Sequence, residues 1–173
     1  MKKQTSSTQN QNSIKKGCLI YMIKVLFICH GNICRSPMAE FLFRDMIHKH
    51  HLEHKIQVAS AATSQEEIGN PVHPGTVHKL AQYGISTKGK YARQVTKADY
   101  ANYDYLICME AWNLQEIRRI LPSDPAQKIC CLLDFTGHPR DIADPWYTGN
   151  FDVTYEDILE GCSHLLEHLK AKL

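Results

Sequence analysis

The sequence predicts an α/β protein: a three-layer, doubly wound sheet of four parallel strands with a phosphate-binding loop after the first strand. Three observations predict it. Short apolar runs rich in β-branched residues alternate with stretches of helical spacing, the pattern of strand–helix–strand units. The first run, Lys24–Ile28, passes through a tight turn at Gly31-Asn32 into a helix start, and that succession builds an anion cradle from backbone N–H groups and the helix dipole. Ligands of such sheets bind at the carboxyl ends of the strands, which is where Cys29 and Arg35 fall.

The elements follow in order. Residues 1–21 stand apart, because Met1–Lys16 is nearly all Lys, Gln, Ser, Thr and Asn with nothing to bury. A disordered, dispensable extension is expected there, ahead of one domain spanning 22–173. Two early lysines and a later apolar run mimic a signal peptide, yet no small-residue cleavage site follows and cutting there would remove the first strand. After strand one, Pro37–Ile47 carries apolar residues at helical spacing, and Lys55–Ala61 reads as a second strand. Pro74–Tyr83 reads as a helix with proline in its first turn and Gly84 at its C-terminal cap. Asn102–Met109 and Gln127–Leu133 read as the third and fourth strands, separated by a helix from Glu110 to Ile120 that Leu121-Pro122 stops. A Gly/Pro/Asp loop from Asp134 to Asn150 leads to a last helix, about Thr154 to Lys172.

Composition narrows the partners. A net charge of +2 and a pI near 8.1 are too mild for a nucleic-acid or membrane-surface partner. Seven cysteines, an odd number without an export signal, point to a reducing compartment and so to the cytoplasm. Lys24 interrupts the one apolar stretch, Cys18–Cys34, that approaches membrane-spanning length.

The run Cys29-His30-Gly31-Asn32-Ile33-Cys34-Arg35-Ser36 adds a thiol and a guanidinium to the cradle. Only the thiolate of a cysteine is a strong nucleophile, and a helix N-terminus, a ring of N–H donors and a nearby arginine all favour it at Cys29. The Ser36 hydroxyl is placed to donate a further hydrogen bond to the sulfur. Arg35 offers a planar fork that holds two phosphoryl oxygens, and such a clamp stabilises the charge of phosphoryl transfer. A lone C-x5-R pattern also fits a buried strand-end cysteine beside a solvated arginine; the strand before it and Ser36-Pro37 after it speak for the functional reading.

The run CHGNICRSPMAE resembles the signature of the low-molecular-weight protein tyrosine phosphatases. The resemblance continues through Ser60–Ser64, Ile68–Pro71, Ala92-Arg93-Gln94, Asp104–Met109 and Asp144-Pro145-Trp146-Tyr147, from about Met22 to the C-terminus. It implies the flavodoxin-like, phosphotyrosine phosphatase I-like fold and a phosphotyrosine protein substrate hydrolysed through a phosphocysteine, with no cofactor and no metal. Cys29 is then the nucleophile and Arg35 the phosphate clamp. His30, Gly31, Asn32, Ile33, Cys34 and Ser36 are the loop around the phosphate or another oxyanion. Expelling a phenolate, whose conjugate acid has a pKa of about 10, needs a proton donor. Alone, Asp-Pro is only a turn signal; the resemblance makes Asp144 the general acid, with Asp141 as its competitor. Trp146 and Tyr147 wall the slot, where the family more often has two tyrosines. Asn32 braces the loop, in the left-handed conformation that asparagine tolerates, with Ser60 bonding to it from the second strand. The family's second loop cysteine, here Cys34, can form a reversible disulfide with the nucleophile. Two departures stand out: Gln65-Glu66-Glu67 replaces an aromatic rim residue and should disfavour acidic phosphopeptides, and Tyr83 replaces a histidine before the Gly-Ile pair, so the bracing of Asn32 is expected to differ.

Three relatives of other activity compete. An arsenate reductase would match Cys108 but lacks the partner thiol, since Gln115 stands there. A protein-arginine phosphatase carries threonine where this chain has the apolar Ile33, which suits an aryl phosphate better than a guanidino group. A cysteine phosphocarrier has no use for Arg35 and Asp144. His48, His50, His51 and His54 read as an exposed basic helix end rather than a metal site. Which phosphoprotein is the substrate stays open at this stage, a bacterial tyrosine kinase or a host protein of a secreted enzyme among the options.

Overall fold

The apolar run ahead of Cys29 forms an inner strand of a four-stranded, all-parallel sheet. A computed structural model describes residues 21–173; the expected extension, apart from Tyr21, lies outside the described residues. In chain order the elements are β1 (Ile23–Cys29), α1 (Arg35–Lys49), β2 (Ile56–Ala62), α2 (Pro74–Ala81), α3 (Lys97–Asn102), β3 (Tyr105–Cys108), α4 (Ala111–Ile117), β4 (Ile129–Cys131), α5 (Pro145–Thr148) and α6 (Phe151–Lys170). The strand order is β2-β1-β3-β4. Register sets Cys29 opposite Ala62 and Ile28 opposite Cys108, so the end of β1 opens between its two neighbours.

Alternation along β1 makes the three layers. Val25, Phe27 and Cys29 enter a core built with α1 and α6, where Phe43, Ile158, Cys162, Leu165 and Leu169 are buried. Leu26 and Ile28 enter the opposite core with Leu106, Ile117 and Leu121. A strand covered on both faces reads as a continuous apolar run, which is why β1 is plain in the sequence. No helix among the described residues is long and apolar enough to cross a membrane.

The differences from the expected elements have local causes. Residues 97–102 form a helix that apolar spacing does not announce, because a capping box makes it: the Asp99 carboxylate accepts from Thr96 N at 2.7 Å and from Arg93 at 2.9 Å. β3 therefore begins only at Tyr105. The expected fourth strand turns at Leu132 into a short 3₁₀ helix, Leu132–Phe135, closed by Asp134, whose carboxylate accepts from Cys131 N at 2.8 Å. α6 starts three residues early because Asn150 caps it, accepting from Val153 N at 3.1 Å. Gly84 closes the chain after α2 at φ 71°. Inside the expected loop, Pro145–Thr148 winds into the helical turn α5.

Gly161 lets α6 seat on this frame. A Cβ there would stand 2.5 Å from Cγ of the fully buried Leu132. Gly161→Ala should therefore lower stability by about 1–3 kcal/mol through overpacking, although alanine is favoured in a helix interior by about 1 kcal/mol. Urea unfolding should show the loss in the native background and a gain for the same change in a Leu132→Ala background.

Candidate active site

The end of β1 delivers Cys29 to a loop whose shape rests on Asn32. That residue has φ 58°, in the left-handed region. Asparagine visits this region more readily than other side chains, and here three hydrogen bonds hold it. Its Nδ2 donates to Ser36 Oγ and to Ser60 Oγ, both at 2.8 Å, and its Oδ1 accepts from Arg93 N at 3.2 Å. Because Ser36 Oγ accepts from Asn32, its own hydrogen can go to Cys29 Sγ, 3.0 Å away, rather than to the more distant Ala61 O at 3.5 Å. Asn32 N also points at that sulfur, at 3.3 Å. Two donors converging on Sγ is an arrangement that stabilises a thiolate.

Behind Asn32 the bracing goes deeper than expected. Ser60 Oγ donates to Glu40 Oε2 at 2.5 Å, and buried Glu40 pairs with Lys90 Nζ at 3.2 Å and with Arg44. Lys90 Nζ also donates to Ser60 O at 2.9 Å. Burial pulls the Lys90 pKa down, against the opposing pull of Glu40. Tyr83, flagged by the sequence as a departure, takes no part: it stacks on Tyr155 at 4.5 Å. Lys90 supports the Ser60 end of the brace instead, through Ser60 O and Glu40.

Arg35 begins α1 and is 1% exposed. Its two terminal nitrogens donate to Ile142 O at 3.0 Å and Asp144 Oδ2 at 2.7 Å, and one of them forms an ion pair with Glu110 Oε1 at 2.8 Å. Nε is buried with no hydrogen-bond partner among the described residues. A buried donor left unpaired is costly, and an oxyanion in the cradle would satisfy it. Asp144 is fixed from both sides, accepting from Arg35 and, as the cap of α5, from Trp146 N at 3.0 Å. Asp141 is engaged elsewhere, accepting from Ala111 N at 2.8 Å at the start of α4.

Cys29, Gly31, Ile33, Cys34, Arg35, Asp144, Trp146 and Tyr147 line one cleft of about 110 Å³. Trp146 and Tyr147 are exposed on its wall. His73 backs that wall: its ring meets Trp146 edge-on at 5.7 Å and stacks on Phe151 at 5.3 Å, while its backbone N–H donates to Ile33 O at 2.8 Å. The Cys34 thiol is buried beside Cys29, and burial pushes it up to about 12.

His30 turns its ring to the rim. Nδ1 lies 2.8 Å from Glu116 Oε1 and Nε2 lies 3.1 Å from Glu66 Oε2, and Glu116 also accepts from Thr63 Oγ1 at 2.6 Å. Only the imidazolium donates to both carboxylates at once. Burial pulls the His30 pKa down, but the bonds to Glu66 and Glu116 outweigh it and raise it above 6.5. The sequence-predicted residues thus share one site, with Ser60 just beneath it. Sequence reasoning missed Glu110, Glu116, Lys90 and His73, which no local pattern ties to the loop. Glu40 lay within the quoted signature run without a role.

A family model described as low molecular weight phosphotyrosine protein phosphatase matches residues 24–173. The low molecular weight protein-tyrosine-phosphatase YfkJ of Bacillus subtilis is 44% identical over 151 residues, covering 86% of this chain and 97% of its own. Its crystal structure matches with a TM-score of 0.84 over 87% of this chain and 96% of that one. The phosphatase PtpA of Staphylococcus aureus is 34% identical over 86% of this chain and 94% of its own. The crystal structure of the Drosophila arginine phosphatase DARP is also similar, at 31% identity and a TM-score of 0.79 over 86% of this chain and 98% of that one.

Two predictions follow from the bracing and the rim. Lys90→Met leaves Glu40 buried with only the half-exposed Arg44, so chemical denaturation should show a loss of roughly 3 kcal/mol. The raised His30 pKa means that its bridge contributes stability fully below about pH 6.5 and loses it as pH rises through the folded-state value. The stability difference between the native chain and His30→Gln should therefore be largest near pH 6 and shrink at alkaline pH.

Proposed function

The chain belongs to the low molecular weight phosphotyrosine protein phosphatase family, and we propose that it hydrolyses phosphotyrosine in proteins in two steps, through a phosphocysteine. Cys29 Sγ attacks phosphorus in line with the phenolic oxygen. The S–P bond forms, the P–O bond to the phenol breaks, and Asp144 gives its proton to the departing oxygen. In the second step the Asp144 carboxylate takes a proton from water, whose oxygen attacks phosphorus. The S–P bond then breaks, Ser36 bonds to the returning thiolate, and inorganic phosphate leaves.

The observation that carries this reading is the position of Arg35. One buried guanidinium, lining the same cleft as Cys29, holds Asp144 at 2.7 Å and leaves Nε without a partner among the described residues. The oxyanion clamp and the carboxyl group assigned the proton transfers are thereby held together, which is what phosphoryl transfer asks of a protein. The loop N–H groups from His30 to Arg35 complete the cradle, so charge is handled without a metal ion. Ile33 and the rings of Trp146 and Tyr147 offer apolar surface to a flat aryl group.

Residues 22–173 form the catalytic domain on this reading, with residues 1–21 as an extension. It acts in the cytoplasm, where thiols stay reduced. Its substrate is a phosphoprotein such as a tyrosine kinase, or a host protein if the enzyme is exported.

Initial rates on a phosphotyrosine and a phosphoarginine peptide, measured in chelator, test the proposal. Release from phosphotyrosine that Cys29→Ser abolishes is the expected result; preference for phosphoarginine would keep the chemistry and overturn the substrate. Asp144→Ala should cost about 10²–10⁴-fold on the phosphotyrosine peptide and far less on an aryl phosphate with an acidic leaving phenol. Equal losses on both would remove Asp144 from the acid role.

A further inference from the structure

The cleft proposed to take a dianionic phosphoryl group is ringed by carboxylates. Glu66 and Glu67 line it, Glu110 and Asp144 contact Arg35, and Glu116 contacts His30. Against these five acids stand two cations, Arg35 and His30. The basic residues beside the loop are committed elsewhere, Lys90 to Glu40 and Arg93 to Asp99.

Four of the five acids have one of those cations as a partner. Glu67 has none: among the described residues its carboxylate accepts only from the neutral amide of Asn70, at 2.6 Å. Its stem lies against the phosphate loop, where a Cβ on Gly31 would stand 3.2 Å from Glu67 Cγ. A carboxylate without a counter-charge among the described residues, its stem packed on the phosphate loop, repels a substrate carrying only negative charge. It attracts one that brings a cation to the same place.

Resting on the phosphatase reading, we propose that Glu67 selects phosphotyrosine peptides in which a lysine or arginine lies next to the phosphotyrosine. The phosphoryl group enters the cradle, and the neighbouring basic side chain settles on the Glu67 carboxylate at the rim. Trp146 and Tyr147, exposed on the cleft wall, and the exposed Ile68 next to Glu67 in the chain offer apolar surface for the rest of the peptide. Glu66 contributes less, because its carboxylate already faces the His30 ring at 3.1 Å.

The test compares three phosphotyrosine peptides that differ only in having Lys, Ala or Glu beside the phosphotyrosine. Initial rates are measured at low and high salt on the native chain, Glu67→Gln and Glu66→Gln. Glutamine keeps an oxygen for the Asn70 bond, so the change removes charge and leaves the packing. The native chain should favour Lys over Glu about tenfold in kcat/KM, through KM rather than kcat, and the preference should fade at high salt. Glu67→Gln should abolish most of it and Glu66→Gln little. An undiminished preference in Glu67→Gln, or none in the native chain, would overturn the inference and leave the phosphatase reading intact. Hydrolysis of no phosphotyrosine peptide at all would remove both.

Discussion

The left-handed turn at Asn32 is the constraint on which the site depends. A helix start after a strand presents N–H groups in one direction, and closing them into a cradle requires one residue to reverse the backbone sign. That reversal is unfavourable for most side chains, so it persists only where the surroundings impose it. Here three hydrogen bonds impose it, to Ser36, Ser60 and Arg93 N. They come from α1, from β2 and from the segment leading to α3, so the loop has its shape only when the sheet and both flanking segments are in place. The same amide orients Ser36 toward Cys29, tying the shape of the cradle to the state of the sulfur.

Charge is organised around this turn in two shells of different burial. The inner one is anchored on two buried charges: Glu40, which with the partly buried Lys90 braces Ser60, and Arg35, which sits between the partly buried Glu110 and Asp144. Ion pairs of this kind contribute little net stability against apolar packing, yet removing one partner strands the other in a poor solvent. Their effect is therefore to permit one arrangement and penalise others. Toward the mouth, where water screens the contacts, His30 pairs with the exposed Glu66 and, deeper in, with Glu116, and Glu67 has no counter-charge among the described residues. Such charges act on which substrate approaches more than on the stability of the fold.

How much of this was legible in the sequence depends on the range of the interaction responsible. β1 and the Cys29–Ser36 loop were legible because an inner parallel strand is apolar on both faces and the loop's chemistry is contiguous. Asp144, far along the chain, was only a turn signal until the family resemblance gave it a role, and in the fold it caps α5 while bonding Arg35. α3 escaped because its ends are set by the Thr96–Asp99 box rather than by apolar spacing. The expected fourth strand ran long because Leu132 and Leu133 are as apolar as strand residues, while Asp134 bends the backbone behind them. Glu110, Glu116 and Lys90 were beyond reach for a different reason. A charged side chain on a helix or loop reads as solvated surface unless its partner, here dozens of residues away, is known to fold beside it.

The central claim is that the sulfur of Cys29 carries the phosphoryl group between the two steps. Rapid acid quench of the enzyme during turnover of a phosphotyrosine peptide, followed by peptide mass spectrometry, tests it most directly. The account predicts one phosphoryl group on the peptide containing Cys29, accumulating when the second step is slowed by Asp144→Ala and a substrate with an acidic leaving phenol is used. Phosphate released with no labelled cysteine, or label on any residue other than Cys29, would contradict it.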